Sequence, residues 1–362
     1  MNILHVVGAR PNFMKVAPVV RALDSRGFGR TLVHTGQHFD ANMSEVFFGE
    51  LELPSPDVNL EVGPQSAIQQ IAAIMSRLET VVLNTKPDWM FVYGDVSSVV
   101  AGVLVATKLG VPAAHVEAGL RSYDRTMPEE MNRLITDQVS DLLFTPSLDG
   151  NENLLREGIA PQRIHLVGNV MIDTLVRLLP KAEERWARTW SSNRGEQRYG
   201  LVTLHRPSNV DDPSGLRGLM AALLEVSEAI PLIFPVHPRT RQRLAGFIPP
   251  AGYRLELVDP LGYLDFLALQ CHAGVVITDS GGIQEETTYL GVPCITLRDN
   301  TERPITATIG TNRIVGKEPV GLLGHVQRAI VERQAAAKRI PLWDGLAAER
   351  VADVMAQLEK SW

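Results

Sequence analysis

The stretch Ile3–Ser25, ILHVVGARPNFMKVAPVVRALDS, combines a strand, a tight turn and a helix within one short segment. Ile3–Val7 is a continuous apolar run of the kind found in buried strands, and Gly8 ends it. Pro11 suits the first turn of a helix, and apolar residues then recur with helical spacing as far as Ser25. A strand that leads directly into a helix is the building unit of a parallel α/β sheet.

The same alternation of short apolar runs and helical segments continues along the whole chain. A first series of strands is predicted at Ile3–Val7, Thr31–His34, Trp89–Tyr93, Ala113–Val116, Leu142–Thr145 and Ile164–Val167. A second series is predicted at Leu201–Leu204, Leu232–Val236, Arg254–Val258, Val275–Thr278 and Cys294–Leu297. Because 362 residues exceed what one core usually organises, we expect an α/β protein with two Rossmann-like domains, each built on a parallel sheet.

A charged helix around Lys181–Arg188 and a polar segment, Ser191–Gln197, separate the two series of strands. We therefore expect an N-terminal domain over residues 1–169 and a C-terminal domain over residues 170–345, with a hinge in the helix that follows Asn169. The last amphipathic helix, Leu346–Glu359, is not needed to complete the second sheet. Residues 346–362 are therefore expected to pack back on the first domain.

The composition excludes several classes of function. The formal net charge of −6 argues against a nucleic-acid or anionic-membrane partner, which clustered Lys and Arg residues would bind. The N-terminus lacks the pattern of a signal peptide, and no run approaches the roughly 20 apolar residues of a membrane span, so we expect a cytoplasmic protein. Cys271 and Cys294 form no CxxC motif and are expected in the core of a protein from a reducing compartment. Metal-ligand spacings, a Walker A loop and a GxGxxG fingerprint are all missing, so we expect no metal and no cofactor.

Two cations follow the first predicted strand. Ligands of open α/β sheets bind beside the carboxyl ends of the strands, so the polar residues after each strand are candidates for function. The segment Gly8–Lys15, GARPNFMK, brings Arg10 and Lys15 to such a position. Their placement favours an anionic ligand over the alternative of a solvated helix start.

Three carboxylates are candidates for acid–base chemistry. Asp95 follows the third predicted strand and Glu117 follows the fourth, so both point to the same edge of the sheet. Glu129 and Glu130 lie in the first turn of a predicted helix, where acidic side chains also stabilise the helix dipole. This structural role is favoured for Glu130, whereas Glu129 is retained as a candidate. His115 alternates with Glu117 on one strand face, which is too weak a pattern to predict a metal site.

The second series of strands carries the pattern of a phosphate site. Thr278–Glu286, TDSGGIQEE, passes from a strand through small residues into a helix. The backbone N–H groups of Ser280, Gly281 and Gly282 can therefore cradle a diphosphate at the positive end of the helix. Glu286 lies one turn further on, where it can accept hydrogen bonds from ribose hydroxyls.

Further polar residues follow neighbouring strands of this second series. His205 and Arg206 come directly after the first of them, and His237 repeats the pattern less convincingly. Arg303 follows another strand and is a candidate phosphate contact. Phe266 is expected either beside a nucleotide base or in the core.

Together these motifs resemble the non-hydrolysing UDP-N-acetylglucosamine 2-epimerases, a family of the glycosyltransferase-B structural class. The resemblance spans nearly the whole chain. It is carried by GARPNFMK, TGQH at Thr35–His38, GD at Gly94–Asp95, HVEAGLRS, PEEMNR, GNVMIDTL at Gly168–Leu175, VTLHRPSN, and TDSGGIQEE followed by LGVPCITLRDNTERP. The last two motifs are together the most specific. The resemblance implies two Rossmann-like domains whose parallel sheets face each other across a cleft.

The family pattern also implies roles for individual residues. UDP is held by Arg10, His205, Ser280, Gly281, Gly282, Glu286 and Arg303, with Phe266 near the uracil. The reacting sugar is surrounded by Lys15, Asp95, Glu117, Glu129 and His205. The resemblance further implies a homodimer and a product that generally supplies bacterial surface polysaccharide.

This chain departs from the family pattern at two places. Many members have a second Arg after the HR pair, and here that residue is Pro207. Some bacterial members bind an activating second substrate molecule beside the active site. Gln37 and His38 of that region are present, but Phe39–Asp40 and Gly63–Gln65 do not supply the remainder.

The chemistry expected of such a site is an elimination followed by an addition. Carbon 2 of the sugar has no neighbouring carbonyl, so loss of UDP must accompany removal of its proton and give a 2-acetamidoglucal. UDP then returns while a proton is delivered to the opposite face, which requires two differently placed proton-transfer groups and no nicotinamide. We assign Asp95 as the base, with Glu117 and Glu129 at the opposite face or the sugar hydroxyls. A glycosyltransferase, a hydrolysing epimerase, a C2 epimerase of a modified UDP-N-acetylhexosamine and a non-catalytic nucleotide-sugar sensor remain as alternatives.

Overall fold

A computed structural model describes residues 1–36, 49–194, 198–244, 246–318, 320–332 and 339–360, without the side chains of Arg10, Asn193 and Arg194. The chain divides into two compact units. Unit 1 consists of Met1–Arg177 together with Pro341–Trp362, and unit 2 consists of Leu178–Ile340. The polypeptide therefore passes between the units twice.

Unit 1 is built on a seven-stranded sheet in which all neighbouring strands run parallel. Its strands are β1 (Asn2–Val7), β2 (Gly29–His34), β3 (Val58–Asn59), β4 (Trp89–Tyr93), β5 (Ala113–Val116), β6 (Leu142–Thr145) and β7 (Ile164–Leu166). They lie in the order β3-β2-β1-β4-β5-β6-β7. Each of the six strands expected in this half is present, and β3 is an addition too short to leave a pattern in the sequence.

Unit 2 is built on a six-stranded parallel sheet. Its strands are β8 (Gly200–Thr203), β9 (Leu232–Pro235), β10 (Leu255–Val258), β11 (Val275–Thr278), β12 (Cys294–Thr296) and β13 (Asn312–Ile314). They lie in the order β10-β9-β8-β11-β12-β13. The prediction of two parallel α/β sheets is therefore confirmed, with β13 again an unpredicted edge strand.

Helices connect the strands in both units. They are α1 (Arg10–Asp24), α2 (Ala67–Thr85), α3 (Ser97–Leu109), α4 (Pro128–Val139), α5 (Leu148–Arg156), α6 (Val170–Arg185), α7 (Ser191–Arg194), α8 (Pro207–Val210), α9 (Pro213–Ala229), α10 (Pro238–Arg243), α11 (Tyr263–His272), α12 (Gly281–Leu290), α13 (Ile305–Thr308), α14 (Leu322–Glu332) and α15 (Ala347–Glu359). A 3₁₀ turn at Pro161–Arg163 precedes β7, and a π-helical turn at Trp186–Trp190 follows α6. The division between the units falls inside α6. None of the helices within the described ranges is both long and apolar enough to cross a membrane.

The central strands are buried along their whole length, as expected where helices cover both faces of a sheet. In β4 every residue from Trp89 to Tyr93 is buried, and in β11 every residue from Val275 to Thr278 is buried. Parallel sheets require this double cover, so their strands lack the alternation of polar and apolar residues seen in half-exposed sheets. The polar residues that matter for function therefore lie just beyond the strand ends.

The C-terminal helix α15 belongs to unit 1 and packs against α1. The carboxylate of Asp173 accepts hydrogen bonds from the backbone N–H groups of Ala347 at 3.1 Å and Ala348 at 2.6 Å. It thereby caps the start of α15 from the first turn of α6. At the other end, the N-terminal ammonium of Met1 lies 2.8 Å from Oε1 of Glu359.

Candidate active site

The turn between β1 and α1 is fixed by close contacts. A Cβ on Gly8 would collide with the Oγ of Ser98 and lie 2.6 Å from the Oγ1 of Thr35, so only glycine fits. The Oδ1 of Asn12 accepts hydrogen bonds from the N–H groups of Gly8 and Ala9 at 3.1 and 2.9 Å. Arg10 is the first residue of α1, and its side chain lies outside the described part of the structure.

Lys15, from the second turn of α1, forms a buried ion pair with Glu117. Glu117 follows β5 and has a φ of 76°, a left-handed conformation that is rare for residues with a side chain and is often found at functional sites. Gly94 follows β4 with a φ of 75°, and a Cβ there would lie 2.5 Å from Lys15 Nζ and 3.0 Å from Glu117 Oε2. The structure therefore brings Lys15 and Glu117 together at the carboxyl ends of the central strands.

Asp95 is held by α4. Its carboxylate forms an ion pair with Arg133, and its backbone carbonyl accepts a hydrogen bond from Asn132 Nδ2 at 2.7 Å. Arg133 is in turn held by Glu130, whose Oε2 lies 2.5 Å from Arg133 Nη2. Burial raises the pKa of Glu130, but hydrogen bonds from Ser122 and the charge of Arg133 outweigh burial and lower it. Glu130 thus holds Arg133 and the Ser122–Tyr123 backbone, a role different from the helix-dipole role that the sequence favoured.

Glu129 differs from the other two candidate carboxylates. Its side chain is half-buried in the first turn of α4. Within the described residues it forms no hydrogen bond or ion pair, whereas Asp95 is paired with Arg133 and Glu117 with Lys15. Among the side chains that the structure describes, Glu129 is therefore the candidate carboxylate without an ion-pair partner.

A buried charge network supports the turn that carries Asp95. His115 Nδ1 lies 2.6 Å from Asp137 Oδ1, and His115 Nε2 lies 2.7 Å from the carbonyl oxygen of Gly94. Arg121 Nη1 lies 2.7 Å from Asp137 Oδ2. Burial raises the pKa of Asp137, but the His115 and Arg121 contacts outweigh it and lower the pKa. His115 therefore uses both ring nitrogens in hydrogen bonds that position the Gly94–Asp95 backbone.

In unit 2, His205 follows the strand β8 and is held by Asp279, which follows the adjacent strand β11. The Nδ1 of His205 lies 3.0 Å from Asp279 Oδ1. The imidazole is 42% exposed, whereas the Asp279 carboxylate is fully buried. The structure thus places a partly exposed imidazole, held by Asp279, just beyond a strand end. His237 begins α10, where its Nδ1 accepts a hydrogen bond from the N–H of Arg239 at 3.2 Å.

Ser280, Gly281 and Gly282 form the start of α12. Ser280 is the N-cap residue, in an extended conformation, and its N–H donates to Thr278 Oγ1 at 3.0 Å. A Cβ on Gly281 would collide with Arg303 and lie 2.7 Å from Glu302 Oε1. The first N–H groups of a helix have no partner within the helix, so this turn has the chemistry of an anion site.

Arg303 lies behind this turn in a buried network of charges. Its Nη1 lies 2.5 Å from Glu302 Oε1, and its Nε lies 2.8 Å from Glu285 Oε1. Arg298 Nη2 pairs with the other oxygen of Glu302 at 2.8 Å. Burial raises the pKa of Glu302, but the surrounding guanidinium groups outweigh it and hold the pKa far below its ordinary value. Arg303 is therefore close to the Gly281 turn but shares its charge with two carboxylates.

Glu286 and Phe266 complete the candidates in unit 2. Glu286 is buried one turn into α12, and its Oε1 accepts a hydrogen bond from the hydroxyl of Tyr263 at 2.9 Å. Burial raises the pKa of Glu286 to about 7. Phe266 is partly buried in the apolar cluster that also contains Leu269 and Ile283. Part of its ring is therefore in the core, and the remainder is accessible.

The described site residues carry the motifs of a family whose sequence model covers most of the chain. The model for UDP-N-acetylglucosamine 2-epimerase matches residues 21–356. The chain belongs to this family.

Individual relatives of this epimerase-family chain are similar over nearly their whole length. A UDP-N-acetylglucosamine 2-epimerase from Methanocaldococcus jannaschii is 40% identical, over 98% of this chain and 99% of the relative. A UDP-2,3-diacetamido-2,3-dideoxy-D-glucuronate 2-epimerase from Pseudomonas aeruginosa is 42% identical, over 87% of this chain and 88% of the relative. The crystal structure of M. jannaschii UDP-GlcNAc 2-epimerase in complex with UDP-GlcNAc and UDP matches with a TM-score of 0.90 at 40% identity, covering 99% of this chain and all of the other.

Sequence reasoning missed the partners that hold the candidate residues of this epimerase-family chain. Arg133 and Asp279 are buried and pair with the candidates Asp95 and His205, whereas the buried Asp137 pairs with His115, which contacts the Gly94 carbonyl. Asp279 lies within the motif TDSGGIQEE. Arg133 and Asp137 are four residues apart on the buried face of α4, and this spacing of charged residues could have indicated a structural role. The predicted contribution of Gln37 and His38 lies outside the described residues. In the part of the chain that the structure describes, no group of three or more His, Cys, Asp or Glu side chains is placed to hold a metal ion.

Proposed function

We propose that this chain reversibly inverts carbon 2 of UDP-N-acetylglucosamine to give UDP-N-acetylmannosamine. The M. jannaschii relative, aligned over 98% of this chain, carries the corresponding name, which supports the proposal. The observation that carries it is the placement of candidates at the ends of β4 and β5, where the Lys15–Glu117 pair lies against Gly94 and Asp95 is the next residue of the chain. A transferase that only positions a donor sugar needs fewer carboxylates at this point.

The proposed reaction is an elimination of UDP followed by its return. A base removes the proton from carbon 2, the electron pair of the C–H bond becomes the second bond between carbons 1 and 2, and the bond from carbon 1 to the UDP oxygen breaks with its electrons leaving on UDP. The products of this half-reaction are 2-acetamidoglucal and UDP. In the second half-reaction, UDP adds back to carbon 1 while a proton is delivered to the opposite face of carbon 2. Two groups on different sides of the ring are required, and general acid–base groups of this kind contribute about 10²–10⁴ to the rate.

Three carboxylates of unit 1 are available for these proton transfers. We assign Asp95 as the base, because Arg133 and the His115–Gly94 hydrogen bond hold its position. Glu129 lacks a protein partner in the described residues and suits the opposite face. Glu117 remains paired with Lys15 and suits the binding of sugar hydroxyls.

The residues proposed for UDP are those of unit 2, together with Arg10. As the bond to carbon 1 breaks, negative charge grows on the diphosphate, and preorganised donors at that point stabilise the transition state. The start of α12 at Ser280–Gly282 supplies backbone N–H groups, and His205 supplies an oriented imidazole. Glu286 is proposed to accept hydrogen bonds from the ribose hydroxyls and Phe266 to flank the uracil.

The test is proton NMR of the purified protein with UDP-N-acetylglucosamine alone in deuterated water. Epimerisation predicts deuterium at carbon 2 and a second UDP-sugar with the manno configuration. Release of free N-acetylmannosamine and UDP would indicate a hydrolysing enzyme. Absence of reaction until an acceptor is added would indicate a glycosyltransferase.

A modified hexosamine is the second candidate substrate, because the P. aeruginosa relative is named for a UDP-diacetamido-dideoxyglucuronate. The same NMR experiment with that compound decides between them. The preferred substrate is the one with the higher kcat/KM in a direct competition.

Asp95→Asn tests the assignment of the base. We expect kcat to fall by about 100-fold or more, with deuterium exchange at carbon 2 falling in parallel. Asp141→Asn is the control, because the Asp141 carboxylate is also held by a partner within unit 1, the N–H of Ala113 at 2.8 Å, but Asp141 lies before β6, at the amino ends of the strands. A folded Asp95→Asn protein with the activity of the control would make the assignment wrong.

The oligomeric state follows the family resemblance, and the location is the one expected from the sequence. We propose a cytoplasmic homodimer. Light scattering of the purified protein and fractionation of the source cells test the two parts separately.

A further inference from the structure

The two oxygens of the Asp279 carboxylate have different partners. Its Oδ2 accepts hydrogen bonds from the N–H of His205 at 3.0 Å, from the N–H of Arg206 at 2.9 Å and from Nδ2 of Asn209 at 3.1 Å. Its Oδ1 faces Nδ1 of the His205 ring at 3.0 Å and receives a longer contact of 3.2 Å from the His205 N–H. One oxygen thus fixes the backbone, and the other meets the imidazole.

This arrangement dictates which nitrogen of His205 carries the proton. Oδ1 is an acceptor only, since burial raises the pKa of Asp279 but its contacts with His205 and Arg206 outweigh burial and keep the group ionised. The Nδ1 facing it must therefore be the N–H donor in the neutral ring and in the protonated ring alike. Nε2 is left as the nitrogen that can take up and return a proton. It belongs to a ring that is 42% exposed.

We propose that Asp279 is a positioning residue that locks His205 in the Nδ1–H form and so presents Nε2 to the diphosphate of the nucleotide sugar. Asp279 also immediately precedes Ser280, so it joins the imidazole at the end of β8 to the turn at the end of β11. The leaving diphosphate and the group that meets it are thereby fixed by one side chain. This inference rests on the proposed function for its substrate, but the tautomer itself is a property of the protein alone.

Asp279→Asn reverses the hydrogen bond without changing the shape of the side chain. Three donors converge on Oδ2, so the oxygen of the asparagine amide must occupy that position. The amide nitrogen then faces Nδ1 of His205 and donates to it. The variant is therefore expected to hold the neutral ring in the Nε2–H form, in which Nε2 cannot accept a proton.

The tautomer is measured by two-bond ¹⁵N–¹H correlation NMR of the full chain labelled at its nine histidines, at a pH where the rings are neutral. The signals that disappear in His205→Gln assign the ring. We expect Nδ1–H in the unmodified protein and Nε2–H in Asp279→Asn, and we expect added UDP to shift the Nε2 signal of the unmodified protein. An Nε2–H ring in the unmodified protein, or an Nε2 signal insensitive to saturating UDP, would overturn the proposal. These readouts need no turnover, so they stand or fall independently of the proposed epimerase activity.

Asn209→Ala is the matched control. Asn209 donates to the same carboxylate, but to Oδ2, and its other contact is the carbonyl of Leu297 at 3.0 Å. With whichever UDP-hexosamine is turned over, Asp279→Asn is expected to lose about 100-fold or more in kcat while KM changes by less than about threefold. Asn209→Ala is expected to keep the Nδ1–H ring and to lose less than about fivefold. Equal losses in the two variants, with the ring unchanged in both, would show that Asp279 acts only through the backbone and would contradict the proposal.

Discussion

At the scale of single residues, Gly94 is a position where a side chain would press on the candidate site. Gly94→Ala is expected to cost about 1–2 kcal/mol for the left-handed backbone and a further 1–3 kcal/mol for crowding against Lys15 and Glu117. Activity is expected to fall at least tenfold, because the ion pair must move. Urea unfolding and turnover measure the two effects.

Gly110→Ala is the control for this prediction. Gly110 ends α3 with a φ of 70°, and a Cβ there would meet nothing within 4 Å. Gly110→Ala is therefore expected to lose stability only through the left-handed backbone. Equal losses of stability and activity at Gly94 and Gly110 would show that contact with Lys15 and Glu117 is unimportant.

The ionisation of Glu286 gives a second prediction at this scale. Burial raises the pKa of Glu286 to about 7, whereas the unfolded chain ionises it near 4.5. The folded protein therefore binds more protons between these values, and the free energy of unfolding contributed by Glu286 falls as the pH rises through that window and is constant above it. Glu286→Gln is expected to abolish this fall and to stabilise the protein above pH 7 by on the order of 3 kcal/mol, while weakening UDP binding. Unfolding in urea across that pH range measures the difference.

Glu302→Gln is the contrasting variant. The guanidinium groups around Glu302 hold its pKa below the unfolded value, so its contribution to stability is present above pH 4.5 and is lost only in acid. Glu302→Gln is therefore expected to destabilise the protein at neutral pH. If both variants moved stability in the same direction at pH 8, the account of buried charge in unit 2 would be wrong.

Sequence reasoning identified residues after strand ends but not the residues that hold them. Asp95 and Arg133, or His205 and Asp279, are separated by long stretches of chain, and nothing local in the sequence reports such a pairing. The rule that ligands gather at carboxyl ends of parallel strands depends only on chain order, so it can be applied without coordinates. Which carboxylates are paired and which are not depends on tertiary contacts, so it cannot be predicted from the chain order.

At the scale of elements, α15 is attached to the rest of unit 1 by a buried helix cap and by surface ion pairs, and their contributions to stability can be compared. Asp173→Ala removes the acceptor of two backbone N–H groups at the start of α15 and is expected to cost about 1–2 kcal/mol. Arg26→Ala removes ion pairs with Glu349 and Asp353, whose side chains are largely exposed, and is expected to cost less than about 1 kcal/mol. Thermal unfolding followed by circular dichroism ranks the two. A larger loss for Arg26→Ala would contradict the prediction.

The sequence predicts long elements better than short edge strands. The buried runs at β4 and β11 are bounded by turn residues and were predicted at their observed limits. The edge strands β3 and β13 have two and three residues, which is too few for periodicity to be visible. Their pairing is decided by the neighbouring strand, which supplies the backbone partners.

At the scale of the whole molecule, the two units differ in how the chain builds them. Unit 2 is one continuous segment with its own apolar clusters, whereas unit 1 is completed by the C-terminal segment. A fragment of residues 178–340 is therefore expected to fold cooperatively and to bind UDP more weakly than the full chain, without turnover. A fragment of residues 1–177 is expected to fold poorly, because it lacks α15, which packs against α1. Circular dichroism and calorimetric titration with UDP test both fragments, and a fragment 178–340 with no thermal transition would contradict the prediction.

The proximity of Met1 to Glu359 has a consequence for the order of the chain. A linker from Glu359 to Met1 could join these two parts of unit 1, and new ends could be opened between Ile340 and Pro341. In that circular permutant all of unit 1 would be encoded before unit 2, and the backbone would pass from one to the other only once. In the present order of segments, unit 1 is completed only after the residues of unit 2, and the permutant would remove that delay.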